Sequence, residues 1–477
     1  MKLSPIAAVF VFGASIALGF AAIVLKVSPT VPTAVVCAIP LVCTACYWCS
    51  KKGKNPIGEE TPLASSLSDS VEALGNYSKQ ILATEPAVKV REDYFDNLKV
   101  FLTVVVVMHH TVCAFVGTSW FYAIGQFDGN SFKSFGFATL LLNQSYFMSL
   151  FFLISGYFIP PSYDKKGSCE FMVNKLKRLG VPFYLFSCLI NPLLIVAITY
   201  LYNNGEYMGE LSYQYYFLPG VAWYIAWLLL FSTVYTTIKG NTSSMFKTKP
   251  TLAKCLIFGF FTGIIQLLIL VFLPNIRAFA MMPITFGSLP MDILFFIVGV
   301  CARRGKWLRT NAVSRTTFVT PGERRFVTIF TALCIVTCYA VWYLMADAKV
   351  IGMNVGYGIW SLLSGPYAVS MSIFLIDTFQ RKFNYRTSRT RFFSKSAYMV
   401  YLFHPWVLVS LTFAYNYFLK HGCGIIVEFE NHSFSSTTKI PSKYIWIGFV
   451  IVGLTTQLVV WPLSFYLRKL PGLRQVM

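Results

Sequence analysis

Two adjacent histidines, His109 and His110, end the stretch REDYFDNLKVFLTVVVVMHH, which runs from Arg91 through a strongly apolar segment. On a helix, Lys99 and His110 lie eleven residues apart, close to three turns, so they share a face about 16 Å apart along the axis. Asp96 falls near that face, and His109 points roughly 100° away from it. A single histidine at such depth reads as a hydrogen bond between helices. A pair reads as function, because ionisable groups inside a membrane are costly and are retained for a purpose. Desolvation favours the uncharged imidazole, the form that takes a proton from a hydroxyl.

Two further stretches carry chemistry. Phe151-Phe-Leu-Ile-Ser155-Gly156-Tyr-Phe precedes a basic segment in which Lys175 and Arg178 stand three residues apart, on one helical face. Fixed cations so placed suit a phosphate-rich ligand, and equally serve as ordinary anchoring charge. In Ser396-Ala-Tyr398-Met-Val-Tyr401-Leu-Phe-His404-Pro405, three polar side chains recur every third residue. Pro405 has no N–H for the carbonyl of Tyr401, which opens the backbone there. The plain alternative is a tyrosine–histidine packing network around a kink.

The elements that position these residues follow from composition. Of 477 residues, 56% are hydrophobic and 12% charged, against roughly 25% charged in soluble domains. Runs of about 20 apolar residues span a bilayer core, and the chain predicts an all-α polytopic membrane protein. Residues 1–49 predict a two-helix transmembrane hairpin (6–25 and 31–49) rather than a cleaved signal peptide. Residues 50–90 predict a cytosolic linker, 91–470 a ten-span membrane domain and 471–477 a cytosolic tail. The ten spans fall at 95–117, 137–159, 181–202, 217–238, 255–273, 287–302, 326–345, 355–377, 397–419 and 443–467, the sixth being short.

The net charge of +21 sits in loops. Those after even-numbered spans carry 25 Lys and Arg, and the alternate loops carry six. This bias predicts both termini in the cytosol and excludes a nucleic-acid-binding face. The twelve cysteines lie mostly in or beside apolar runs, so no disulfide framework is expected. The Cys43, Cys46 and Cys49 cluster lacks a second ligand pair, so no metal set is expected; small apolar packing or palmitoylation fits it better. Asn431-His432-Ser433 is a glycosylation sequon in the longest outer loop.

In order and spacing these stretches resemble the integral-membrane acyltransferase family 3. That family includes O-acetyltransferases of lipopolysaccharide and peptidoglycan and the succinyltransferase of osmoregulated glucans. Asp96-Asn97-Leu98-Lys99 and His110 match its first core helix, with Lys for Arg. The double histidine and Asn97 are most similar to the glucan-succinylating branch. Phe151–Phe158 matches its Phe-Phe-x-x-Ser-Gly stretch, and Lys175 with Arg178 its basic pair, again with one Lys for Arg. Ala222-Trp223-Tyr224 is similar to its Leu-Trp-Phe helix start, and Ser396 to His404 to its late tyrosine–histidine motif, with Ala397 inserted. Phe295-Phe296-x-x-Gly299 followed by Arg303-Arg304 also fits. The resemblance covers about residues 91–470. The two Lys-for-Arg changes keep charge but lose the planar, bidentate fork of a guanidinium.

The resemblance implies transfer of an acetyl or similar short acyl group from cytosolic acyl-CoA (acetyl-CoA or succinyl-CoA) to a hydroxyl of a glycan, lipid or small molecule. It implies no permanently bound cofactor. His110 would act as general base or transient acyl carrier, with His109 orienting or replacing it. Lys99, Lys175 and Arg178 would bind donor phosphates, while Asp96, Trp223, Tyr398, Tyr401 and His404 would line the channel or position the acyl group. A proton-coupled transporter using the same histidines as a relay is the rival reading, but no internal repeat with broken helices supports it. A scaffold whose basic loops bind anionic lipid leaves the histidine pair unexplained.

Overall fold

The computed structural model describes residues 92–117, 122–124, 132–202, 219–238, 248–272, 278–279, 282–283, 288–308, 318–346, 348–427 and 440–476. The N-terminal hairpin, the linker and the Asn431 sequon lie outside the described residues.

The described chain is a helical bundle. Its elements are α1 (Asp93–Val116), α2 (Phe132–Lys175), α3 (Val181–Leu185), α4 (Asn191–Tyr202), α5 (Trp223–Ile238), α6 (Leu252–Phe272), α7 (Ser288–Arg304), α8 (Pro321–Ala346), α9 (Met353–Lys382), α10 (Ser388–Cys423), α11 (Ser442–Leu467) and α12 (Leu473–Val476). Two π-helical turns, Leu176–Gly180 and Phe186–Ile190, flank α3, and a 3₁₀ turn, Gly220–Ala222, precedes α5. The described chain is all-helical as expected, apart from one antiparallel pair of two-residue strands, β1 (Ala278–Phe279) and β2 (Met282–Pro283).

Eight helices among the described residues are long and apolar enough to cross a membrane, where the sequence predicts ten spans in this region. The difference has two physical sources. The predicted second and third spans are helices that a kink at Gly167 divides within one continuous run, Phe132–Ile198, so they count once. Within it Gly167 adopts φ 70°, ψ 171°, a backbone state open to glycine and strained for other residues. The chain folds back there, which lets Ser155 and Arg178 line one cavity. The predicted sixth span, α7, has 17 residues, short of the roughly 20 that a perpendicular crossing uses.

Helices α2 and α7 pack at close range through the glycines of two motifs. A β-carbon added at Gly156 would collide with the carbonyl of Phe296, and one at Gly299 with the carbonyl of Leu153. Small residues at both positions let the backbones meet, the usual route to tight helix packing inside a membrane. At the basic end of the bundle, ion pairs tie the helices together. Arg304 of α7 holds Asp164 of α2 through two nitrogens, at 2.7 and 2.9 Å. Arg324 of α8 reaches the buried Asp377 of α9 at 2.8 Å, and Arg381, one turn along α9 itself, adds a second contact to the same carboxylate at 2.9 Å. Arg303 lies 3.5 Å from Glu92, which accepts a hydrogen bond from Tyr157 at 2.8 Å. Much of the loop charge is therefore structural.

Because Gly299 faces backbone, no side-chain rotation relieves a larger residue there. Gly299→Leu is expected to destabilise the folded chain by about 3 kcal/mol, the upper end for overpacking. A thermal melt of the detergent-solubilised protein checks this, and a melting temperature equal to wild type would show that α2 and α7 do not pack this way.

Candidate functional site

The polar stripe of α10 and the start of α1 converge on a cavity of about 370 Å³ at the basic end of the bundle. Four cations line it: Lys99 from α1, Lys166 and Lys175 from α2, and Arg178 from the first π turn. A single acid, Asp96, accompanies them. It accepts an ion pair from Lys99 at 2.8 Å, with both side chains partly exposed. The Lys99 ammonium also lies 5.3 Å above the ring of Phe158, and that of Lys175 5.3 Å above Phe171. These aromatic faces hold the charges against the wall without neutralising them. The excess of positive charge is of the kind that suits an anion.

Helical geometry explains how Arg178 is held. In a π turn the backbone bonds run from i to i+5, so carbonyls fall out of α register. The carbonyl of Arg178 accepts a hydrogen bond from the Tyr398 hydroxyl at 2.9 Å. Tyr401, one turn further along α10, donates its hydroxyl to the carbonyl of Val221 in the 3₁₀ turn before α5. Both tyrosines line the cavity, as do Tyr224 and Ser155, whose hydroxyls lie 2.7 Å apart.

The expected site residues thus divide into two groups. Asp96, Lys99, Lys175, Arg178, Tyr398 and Tyr401 come together around the cavity, although they derive from three separate parts of the chain. Trp223 does not line it. Its neighbour Tyr224 does, because one residue on a helix turns the side chain by about 100°. Lys166, Ser155 and Tyr224 are among the lining residues absent from the expected set, and the helical phase of the Trp223-Tyr224 start is the signal that bears on the last.

The histidines form a second group, deeper in the bundle. The rings of His109 and His110 meet edge to face at 5.3 Å, and His109 packs on Phe147 at 5.0 Å. His404 stacks on His110 with ring centres 5.1 Å apart and planes 22° from parallel. His109 and His404 are buried, and His110 is half-buried. The sequence motifs place His404 on a channel wall; folding sets it directly against His110. No spacing rule joins residues so distant in the chain.

Pro405 accounts for the orientation of His404. Without an N–H at position 405, the carbonyl of Tyr401 loses its helical partner. The Nδ1 atom of His404 takes that place at 2.8 Å, with a longer contact of 3.3 Å to the carbonyl of Val400. A carbonyl oxygen only accepts, so Nδ1 carries the hydrogen and, in neutral His404, the lone pair is on Nε2. Tyr401 therefore belongs to both groups, its ring on the cavity and its carbonyl on His404.

The cavity itself ends short of the histidines. Thr103 is the deepest residue of α1 on its wall, and seven residues separate it from His110, about 10 Å along the axis. The arrangement offers anion capture at one end, a set of imidazoles at the other, and tyrosines between them.

No curated protein and no solved structure matches the chain. A family model described as an acyltransferase domain, that of acyltransferase family 3, matches residues 92–465 and so takes in both groups. It gives no support to the transporter reading. With its apolar helices and this match, the chain is an integral membrane protein and belongs to the integral-membrane acyltransferase family 3.

Proposed function

We propose that the protein moves an acetyl, succinyl or similar short acyl group from acyl-coenzyme A to a hydroxyl of a glycan, a lipid or a small molecule. The observation that carries this reading is a cavity with four cations whose inner wall, through Tyr401, touches a cluster of three histidines. The bias of Lys and Arg to one set of loops supports a cytosolic basic end and cytosolic termini. Coenzyme A is anionic and cytosolic, so its phosphates would meet Lys99, Lys166, Lys175 and Arg178 first.

The pantetheine arm then points inwards, and the roughly 10 Å beyond Thr103 is the path it has to open past Tyr401. In the reaction His110 takes the proton of the acceptor hydroxyl as its oxygen attacks the thioester carbonyl. The C–S bond breaks, and the imidazolium returns that proton to the departing thiolate. In the two-step form the unprotonated imidazole nitrogen attacks the thioester carbonyl, the C–S bond breaks and the thiolate leaves; the acceptor oxygen then takes the acyl group from the nitrogen as its proton passes to the thiolate. His109 orients His110 or substitutes for it. His404, with its tautomer set by the Tyr401 carbonyl, supports the His110 ring from its face. Asp96 positions Lys99, and Tyr398 positions the Arg178 backbone.

Three outcomes test this reading. In membranes carrying His110→Ala, acyl transfer is expected to fall by about 100-fold or more, the usual contribution of a general base, and His109→Ala is expected to lower it less. Full activity in both variants would remove the assignment. Arg178→Ala is expected to raise the donor KM by about tenfold, as loss of one charge-assisted hydrogen bond implies, with kcat largely kept; an unchanged KM would move the phosphates elsewhere. Pro405→Ala restores an N–H that competes with His404 for the Tyr401 carbonyl. Turnover is expected to drop while donor KM stays constant, and a wild-type rate would show that the tautomer of His404 is immaterial.

A further inference from the structure

Cys113 takes no part in the proposed transfer, yet it stands beside the two first-helix imidazoles. The ligand atoms of His109, His110 and Cys113 all lie within 4.8 Å of one another. His109 and Cys113 are four residues apart, hence neighbours on one face of α1. Both are buried, at 7% and 8% exposure. The Nδ1 atom of His109 is fully buried and has no hydrogen-bond partner among the described residues. A polar atom in that position carries a desolvation cost that a ligand would remove.

From this set we infer that α1 holds a site for a borderline-soft divalent cation, Zn²⁺ or a close relative, and that filling it switches the proposed transfer off. The ligand chemistry selects the ion. Two imidazoles and one sulfur suit zinc, which binds nitrogen at about 2.0–2.1 Å and sulfur at about 2.3 Å. Mg²⁺ and Ca²⁺ require oxygen ligands, which this set lacks. Binding displaces the thiol proton to solvent, and the resulting thiolate offsets half of the ion's charge, which makes the buried position tenable.

The inhibitory sense follows from one lone pair. A neutral imidazole has a single unprotonated nitrogen. When that nitrogen of His110 ligates a metal, it cannot also accept the acceptor's proton or an acyl group. Ligation and transfer are mutually exclusive at this residue. The inhibitory half of the inference rests on the function proposed above, and the metal-binding half does not.

The test uses the full chain purified in detergent, with Zn²⁺ and Co²⁺ as probes. Wild type is expected to retain one equivalent of Zn²⁺ by elemental analysis, and with Co²⁺ to show a near-ultraviolet thiolate-to-metal band. Cys113→Ala is expected to lose the band and to bind Zn²⁺ about tenfold or more weakly, as removal of one of three protein ligands implies. Cys113→Val, which fills the same space, guards against a packing defect and should behave alike. Acyl transfer by wild type should be inhibited by Zn²⁺, and transfer by the two variants should match the metal-free wild-type rate and resist the ion. Equal metal content in wild type and variants, or transfer that requires the ion, would overturn the inference. A thiolate band in a chain that transfers no acyl group at all would uphold the site and instead count against the proposed function.

Discussion

The hydrogen bond from His404 Nδ1 to the carbonyl of Tyr401 joins the two halves of the site. It exists because Pro405 cannot supply the backbone donor that the carbonyl would otherwise receive. In water such a vacancy would be filled by solvent. Inside a bundle of apolar helices the nearest ring nitrogen fills it, and the ring is thereby held in one tautomer and one orientation. His110 stacks against that ring, and the Tyr401 side chain reaches back to the cavity. One missing N–H thus coordinates a cavity wall, a backbone bend and an imidazole stack.

The distribution of charge is the second organising feature. A net charge of +21 suggests a surplus of free cations, but folding sorts them. Arg304 and Arg324 are committed to Asp164 and Asp377, where guanidinium forks join neighbouring helices, and Arg381 adds a contact to Asp377 within its own helix. The cavity keeps mainly lysines together with Arg178. This division fits the chemistry, because the planar fork is best spent on a fixed carboxylate. Under the proposed function, a flexible ammonium would accommodate phosphates that must enter and leave.

Hydropathy made the helices of the described region legible, since lipid demands long apolar runs and the chain has few other ways to satisfy its backbone there. The convergence of α1, α2 and α10 was legible in part, because Lys99, Lys175, Arg178, Tyr398 and Tyr401 each occupy a recognisable local pattern. That the chain turns between residues 159 and 181 was legible, and only the turning point at Gly167 was hidden, because one glycine with positive φ leaves no mark on a hydropathy profile. The contact of His404 with His110 was hidden for a different reason: it depends on how distant helices rotate about their own axes. Rotation also decides Tyr224 over Trp223 at the cavity wall, and it is set by packing partners rather than by spacing along the chain. The closeness of Cys113 to the imidazoles is local to one helix, and it escapes notice only because cysteine is a common small packer in such segments.

The paired π turns around α3 have a consequence for the history of this segment. Each wide turn accommodates one residue more than an α turn while keeping the backbone bonded. A helix containing two of them can lose or gain a residue without being severed, and everything beyond the change is rotated to a new bearing. Val181, Leu189 and Leu193 are exposed in this stretch, while Lys175 and Arg178 line the cavity. Single-residue insertions and deletions here would act as a phase adjustment, turning the anion-binding face independently of the outward-facing one. This short stretch is thus a place where the cavity wall can be re-aimed without rebuilding the rest of the bundle.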